Sequence, residues 1–404
     1  MTITEWTDAP IGIDADRWVT RANCRTVLGV AHTLVSTQRL LDVIEHIEDD
    51  PRLQIVFTVA PDVFNRGVTG YLRRTGALVL PWHQAVNHRF DLALAASYGG
   101  LRQIHAPLVV MAHGAGHGKT APSPVPDGLP APGAPVYGLD AQRLARDGRP
   151  IAAAVAVCHE HELAVLRRQC PEVLPTALVI GDPCYDRLVA SLPLRRRYRQ
   201  AIGVGDRQQL VVIGSTWGRA GLFGRIPDLI STVMHQLPAD RYRVAALLHP
   251  AVWGAHGVRQ VRAWLRDCEQ DGLILLDPAE DWRSLVVAAD HVIGDHGSVT
   301  AYAGALGRRV LLGPGPSGVA VPGSPQHLVA TSAGRLDLDR PLPAQLAQTP
   351  AIDHGAVAAA LTGRPMAAVT LLRRRLYELL GLPEPGRHRS AAPVPVPAIH
   401  RSPR

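Results

Sequence analysis

Short aliphatic runs recur along the chain, and most are separated by stretches whose apolar residues fall at helical spacing. The runs at 26–31, 53–59, 77–80, 91–96, 108–111, 152–157 and 177–180 predict strands. Between them, 32–47 carries Leu34, Leu40, Leu41, Ile44 and Ile47 near a 3.6-residue period and predicts a helix, as do 65–75 and 159–169. A basic helix over 192–201 and a linker over 202–207 end this series. A second one follows, with strands at 210–213, 244–248, 273–276, 291–293 and 310–312 and helices at 226–236, 258–269, 282–288 and 299–306. Strands alternating with helices at this spacing imply largely parallel sheets, hence an α/β chain. Beyond 313 the chain turns Gly/Pro-rich. A helix over 356–380 is expected to pack back on the body, and 382–404 reads as a disordered Pro/Arg-rich tail. The expected organisation is 1–201, 208–355, 356–381 and 382–404, with no repeat of solenoid period.

Composition narrows this picture. A chain of 404 residues, 47% hydrophobic, can fill two α/β cores of ordinary size. Aromatics at 5% argue against stacking platforms for single strands, so no nucleic acid is expected as a partner. The net charge is +7 and the pI about 9.5, carried by arginine: Lys119 is the sole lysine. This fits an arginine-rich coding bias, a need to meet phosphates, or peripheral contact with an anionic membrane. The five cysteines, with no C-x-x-C pair, suggest reduced thiols and a cytoplasmic setting, at most peripheral at the inner membrane face. The first residues lack the charge and apolar core of a signal peptide, and no apolar run reaches membrane-spanning length.

Candidate chemistry gathers after the strands. The run 108–111 opens into a loop with His113, Gly114, Gly116, His117, Gly118, Lys119 and Thr120. Gly118-Lys119-Thr120 matches the end of a Walker A loop. The first glycine of that motif is His113 here, however, and the Pro-rich 121–135 cannot form the helix a P-loop opens. That insertion reads instead as a mobile lid or loop. The other reading makes His113-Gly114 a catalytic corner at the carboxyl end of a sheet. His159 to Leu163 resembles a zincin motif with its second histidine misplaced, so no metal ligands are expected. Asp295-His296-Gly297-Ser298 precedes a helix, with Ser298 as its expected N-cap; helix amides and the dipole there suit a phosphate.

Five loops occur in order: His113-Gly114; Gly181-Asp182-Pro183 with Asp186; Ser215-Thr216-Trp217-Gly218-Arg219; His249-Pro250; and Asp295 to Thr300. Over roughly residues 105–312 this set resembles the CDP-glycerol glycerophosphotransferase (teichoic acid polymerase-like) family. That family shows a His-Gly-Thr-Pro corner with a lysine soon after, a Gly-x-Pro-x-x-Asp turn, a Pro-Thr-Trp-Arg loop, a His-Pro and an Asp-Tyr-Ser-Ser-Val segment. Here Ala115-Gly116 replace Thr-Pro, Lys119 stands one position late, Ser215 replaces Pro, Gly218 is inserted, and His296-Gly297 replace Tyr-Ser.

The resemblance implies a GT-B-like fold, two Rossmann-like domains facing a central cleft, with 1–201 taking the acceptor and 208–355 the nucleotide donor. It implies a transferase that moves a glycerophosphate or glycosyl unit from a nucleotide-activated donor to a hydroxyl acceptor of unspecified identity. His113 would be the base, and His249 and Arg219 would contact the donor phosphates. Ser298 and Thr300 would hold the pyrophosphate, with Asp295 orienting the loop. Gly114, Lys119, Thr216, Pro250 and Gly297 complete the expected donor contacts. No tightly bound cofactor is expected, and a role for Mg2+ is left open. The alternatives are a P-loop-like GTP/ATP-binding protein, a catalytically inactive GT-B-like binding protein, and a UDP-sugar 2-epimerase of the same architecture.

Overall fold

The computed structural model describes residues 6–11, 15, 19–121, 133–315, 319–386 and 390–397. Most of the lid expected over 121–135 lies outside these residues. The described chain forms two compact units.

The first unit comprises Met1–His113, Gly138–Cys184 and Gly363–Ser390. Its strands are β1 (Arg25–Ala31), β2 (Leu53–Val59), β3 (Val79–Leu80), β4 (Leu92–Ala95) and β5 (Leu108–Met111). A small antiparallel hairpin, β6 (Ala145–Arg146) and β7 (Arg149–Pro150), precedes β8 (Ala154–Val157) and β9 (Ala177–Val179). The main sheet is parallel in the order β3-β2-β1-β4-β5-β8-β9. β4, β5 and β8 are buried throughout, which is why they read as unbroken apolar runs instead of alternating ones. Val27, Leu94 and Val109 pack with Leu40 and Ile44 of the helix Leu34–Ile44, which opens on a capping box between Thr33 and Ser36. The helix Ala368–Leu380 closes the same core through Leu372, Leu376 and Tyr377. Tyr377 donates its hydroxyl to Asp50 at 2.8 Å, and Arg373 donates to the His46 carbonyl at 2.9 Å.

The second unit comprises Gly114–Tyr137, Tyr185–Thr362 and Ala391–Arg404. Its parallel sheet holds β10 (Gln209–Ser215), β11 (Tyr242–Leu248), β12 (Ile274–Leu275), β13 (His291–Gly294), β14 (Arg309–Leu312) and β15 (Gly334–Arg335), in the order β12-β11-β10-β13-β14-β15. Val211, Ile213, Ala246 and Leu311 from the sheet pack with Ile230 and Val233 of the helix Leu229–Gln236. In both units the strand order reverses beside the first strand, between β1 and β4 and between β10 and β13. That crevice at the carboxyl ends is where open α/β sheets take ligands.

Several expected boundaries move. The stretch 114–120, expected with the first unit, belongs to the second, as does 185–201: the helix Pro183–Ser191 carries the chain from one unit into the other. The single helix expected over 356–380 is two, His354–Leu361 in the second unit and Ala368–Leu380 in the first. Gly363 and Pro365 lie in the break, where proline cannot continue an i to i−4 ladder. Residues 390–397 are not a loose tail. Val394 is 1% exposed, its amide donates to Ser191 Oγ at 2.9 Å, and its carbonyl accepts from Tyr198 at 2.7 Å. The Gly/Pro-rich stretch beyond 313 also holds the helices Pro325–Ser332 and Leu342–Gln348.

Candidate phosphate-binding site

β10 and β13 end side by side, and the loops that follow them are locked together by one carboxylate. Asp295 is 3% exposed. Its Oδ2 accepts from the Thr216 amide and hydroxyl, both at 2.8 Å, and from the Leu222 amide at 3.0 Å. Its Oδ1 accepts from the Gly297 amide at 3.0 Å. Asp295 therefore orients the loop, as expected, by joining it to the β10 loop and to the start of the helix Leu222–Arg225. The Thr216 hydroxyl is committed to that carboxylate.

The helix Ser298–Ala305 begins at this junction. Its N-cap is Gly297, not Ser298: the Gly297 backbone is extended, and no side chain caps the helix. Ser298 is the first helical residue, and its hydroxyl accepts from the Ala115 amide at 3.1 Å. The amides of Ser298, Val299 and Thr300 have no acceptor within the helix, because first-turn N–H groups have no carbonyl four residues before them. They carry the positive end of the helix dipole. The Thr300 side chain is buried, 3% exposed, so a contact to an anion at this position falls to its amide.

Residues 114–120 lie over this helix start. Gly114 passes so close that a Cβ there would sit 2.6 Å from Ser298 Oγ, and its carbonyl accepts from Tyr302 at 3.1 Å. Gln326, 5% exposed, donates to the Ala115 carbonyl at 2.9 Å, while its Oε1 is buried with no partner among the described residues. A side chain at Gly118 would collide with the Gln326 amide. Lys119 and Thr120 are extended. Thr120 N donates to the Val319 carbonyl at 3.1 Å, Val321 N to Gly118 at 3.0 Å, and Tyr137 N to Lys119 at 2.9 Å. A P-loop places its lysine at a helix start, so this ribbon lacks P-loop geometry.

The charges converge. The Lys119 ammonium has no hydrogen-bond or ion-pair partner among the described residues. Burial lowers its pKa, and the nearby Asp295 carboxylate opposes that. His296 has its Nδ1 buried and unpartnered. Its pKa is lowered to about 4, first by burial and then by the positive charge of Lys119, with Asp295 opposing and Arg225 adding to the fall. Three basic side chains and one carboxylate thus act on one another beside a helix start. That arrangement suits a phosphate: fixed amides, a compact ammonium and an imidazole able to donate.

Other expected residues sit nearby or elsewhere. His249 follows β11, and its amide donates to the Ser215 carbonyl at 3.1 Å. Its Nδ1 accepts from the Ala251 amide at 3.1 Å, capping the helix Pro250–His256, whose first residue is Pro250. A neutral ring bonded in this way carries its proton on Nε2 and is a donor there. Arg219 is exposed in the loop after β10; Arg225 is the arginine whose charge reaches His296. His113 ends the first segment of the first unit. Its Nδ1 lies 2.7 Å from the Ala96 carbonyl. A carbonyl only accepts, so Nδ1 carries the proton and Nε2 the lone pair, the tautomer of a general base. In the Gly181-Asp182-Pro183 turn, Asp182 pairs with buried Arg39 at 3.2 Å and accepts from the Cys184 amide at 2.8 Å. Its task is structural. His296, Arg225 and Gln326 lie here beyond the expected site residues. His296 stood inside a quoted motif as a departure from the family pattern, whereas nothing in the local sequence marks Gln326.

No family model matches the chain, and no curated protein matches it by sequence. Solved structures do match in shape. A variant of the wall teichoic acid polymerase TagF soaked with CDPG superposes with a TM-score of 0.55 at 12% identity, covering 88% of each chain. The MnaA–UDP co-structure from S. aureus gives 0.54 at 11% identity, covering 90% of this chain and 99% of that one. UDP-GlcNAc 2-epimerase from Neisseria meningitidis bound to UDP-GlcNAc gives 0.53 at 12%, covering 88% and 100%. At such identities the likeness speaks for architecture: the chain is an α/β protein with the GT-B fold, the expected one.

Proposed function

We propose that this chain is a transferase that moves a glycerophosphate or glycosyl unit from a nucleotide-activated donor to a hydroxyl acceptor. The observation that carries the proposal is the open first turn of the helix Ser298–Ala305, with Lys119, which has no hydrogen-bond partner among the described residues, His296 and Arg225 in electrostatic reach of one another beside it. A donor's diphosphate needs such a seat. In the transfer step, the acceptor hydroxyl loses its proton to His113 Nε2, and its oxygen bonds to the phosphorus or anomeric carbon. The bond to the nucleotide breaks, and the leaving phosphate's new charge meets Lys119 and the first-turn amides. His113 is next in sequence to Gly114, so base and phosphate loop are neighbours along the chain. His249, donating from Nε2, suits a phosphate contact more than a second base.

The test is a thermal-shift panel of CDP, UDP, GDP, TDP, ATP and GTP, with and without Mg2+, on wild type and Lys119→Ala. A nucleoside diphosphate should raise the melting temperature, since it binds the folded state, and the shift should shrink in the variant. Release of CMP or a nucleoside diphosphate from the donor so identified, lost in His113→Gln with binding retained, completes the case. Failure of every nucleotide at millimolar concentration would sink it. The UDP-GlcNAc 2-epimerase neighbour favours a second reading, a UDP-sugar 2-epimerase. It is separated by whether UDP-GlcNAc is converted by wild type with no acceptor present.

A further inference from the structure

Resting on the phosphate reading of this same site, we propose that His296 is a phosphate ligand that takes up a proton together with the incoming anion. Its Nδ1 is buried and has no partner among the described residues. A buried ring nitrogen without a partner costs free energy unless something enters to meet it. The groups that face it are Lys119 from the ribbon, Arg225 from the end of the helix Leu222–Arg225, and Asp295 on its own loop. Asp295 offsets these two charges only in part, and its carboxylate already accepts from four donors of Thr216, Leu222 and Gly297. Without ligand, burial together with the charges of Lys119 and Arg225 outweighs Asp295, and His296 stays neutral at neutral pH.

A phosphate at the helix start reverses that balance. Its charge offsets the repulsion from Lys119 and Arg225, and its oxygens accept from a protonated ring. The proton comes from solvent, and no bond within the protein breaks. The consequence is a seat that gains one positive charge only when occupied. The empty site then holds the charges of Lys119 and Arg225 against Asp295, and takes the third positive charge only with the anion.

Isothermal titration of the full chain with inorganic pyrophosphate, CDP and UDP, in two buffers of different ionisation enthalpy at pH 7, measures the protons taken up. His296→Gln and His296→Tyr serve as references, the second keeping a ring and a donor without a titrating charge. Because each ligand's own ionisation is common to all three proteins, the difference isolates the residue. Wild type should take up about one proton more than either variant. Above neutrality its affinity should fall more steeply with pH than theirs, by up to about tenfold per pH unit. Equal proton uptake in all three would overturn the proposal. Pyrophosphate binding with the extra proton, but no nucleotide binding, would keep this inference and remove the nucleotide-donor reading. Nucleotide binding with no extra proton would do the reverse, and no binding by any probe would end both.

Discussion

Thr216 gives both its amide and its hydroxyl to one oxygen of Asp295, each at 2.8 Å, and so joins the loop after β10 to the loop after β13 at the point where the strand order reverses. Removing the carboxylate by Asp295→Ala would leave four donors without their acceptor in a nearly buried place. A charge-assisted bond of this kind is worth about 1.5–3 kcal/mol, so a loss of about 3 kcal/mol or more of stability is expected by urea unfolding. Thr216→Val removes only the hydroxyl and should cost about 1–2 kcal/mol. Thr216→Val added to Asp295→Ala should cost less than it does in wild type, since its partner is already gone.

Gly114 tests how closely the ribbon must ride over the helix. A methyl group there would lie 2.6 Å from Ser298 Oγ, inside any tolerable contact, although 3.7 Å from Ser298 Cβ, an ordinary one. Gly114→Ala should therefore weaken pyrophosphate binding and cost about 1–3 kcal/mol of stability. Combining it with Ser298→Ala, which deletes the obstructing oxygen, should recover part of the loss, though the Ala115 amide then lacks its acceptor. Additive losses in the double variant would show that the clash is relieved by movement elsewhere.

These two relationships mark what the sequence could show. The strands were legible because parallel strands buried on both faces leave runs such as 108–111, and because the intervening helices keep a regular period. The polar loops were legible because they follow those strands directly. Partners distant in sequence were not. Nothing near Gln326 points to Ala115, and nothing in 114–120 says that this stretch folds with residues beyond 200. Ser298 was expected to cap its own helix because serine is a common cap. A tertiary acceptor role took its hydroxyl instead, and the extended Gly297 became the cap. Val394 looked like tail because proline-rich composition hides a single buried valine.

In the first unit, the ion pair between Arg39 and Asp182 is 4% and 0% exposed. Arg39→Met would remove the cation that Asp182 pairs with and leave its buried charge beside the Cys184 amide. Breaking such a pair from one side costs about 3–5 kcal/mol. The double variant Arg39→Met with Asp182→Asn should recover a substantial part, because neither member of the pair then carries a charge. Urea unfolding of the three proteins measures this, and equal stability of the single and double variants would refute the account.

Acid sensitivity provides a test of His32 and His296 without any ligand. Burial lowers the pKa of His32, whose Nε2 lies 2.7 Å from the Gly99 carbonyl, and His296 is held down to about 4. Both groups are harder to protonate in the folded chain than in the unfolded one, where histidine titrates near 6.5. The unfolded state therefore binds more protons below that value, and stability must fall as the pH drops. For His296 the stability is fully present above pH 6.5 and is lost progressively down to about 4. The melting temperature of His296→Gln should accordingly fall less than that of wild type across this window, while the two change in parallel above pH 7. Saturating pyrophosphate should flatten the wild-type curve in the same window, since the occupied site accepts the proton that the empty one refuses. A wild-type curve as steep with pyrophosphate as without it would place the anion away from His296, and Lys119 would then have to hold the phosphate with the helix amides alone.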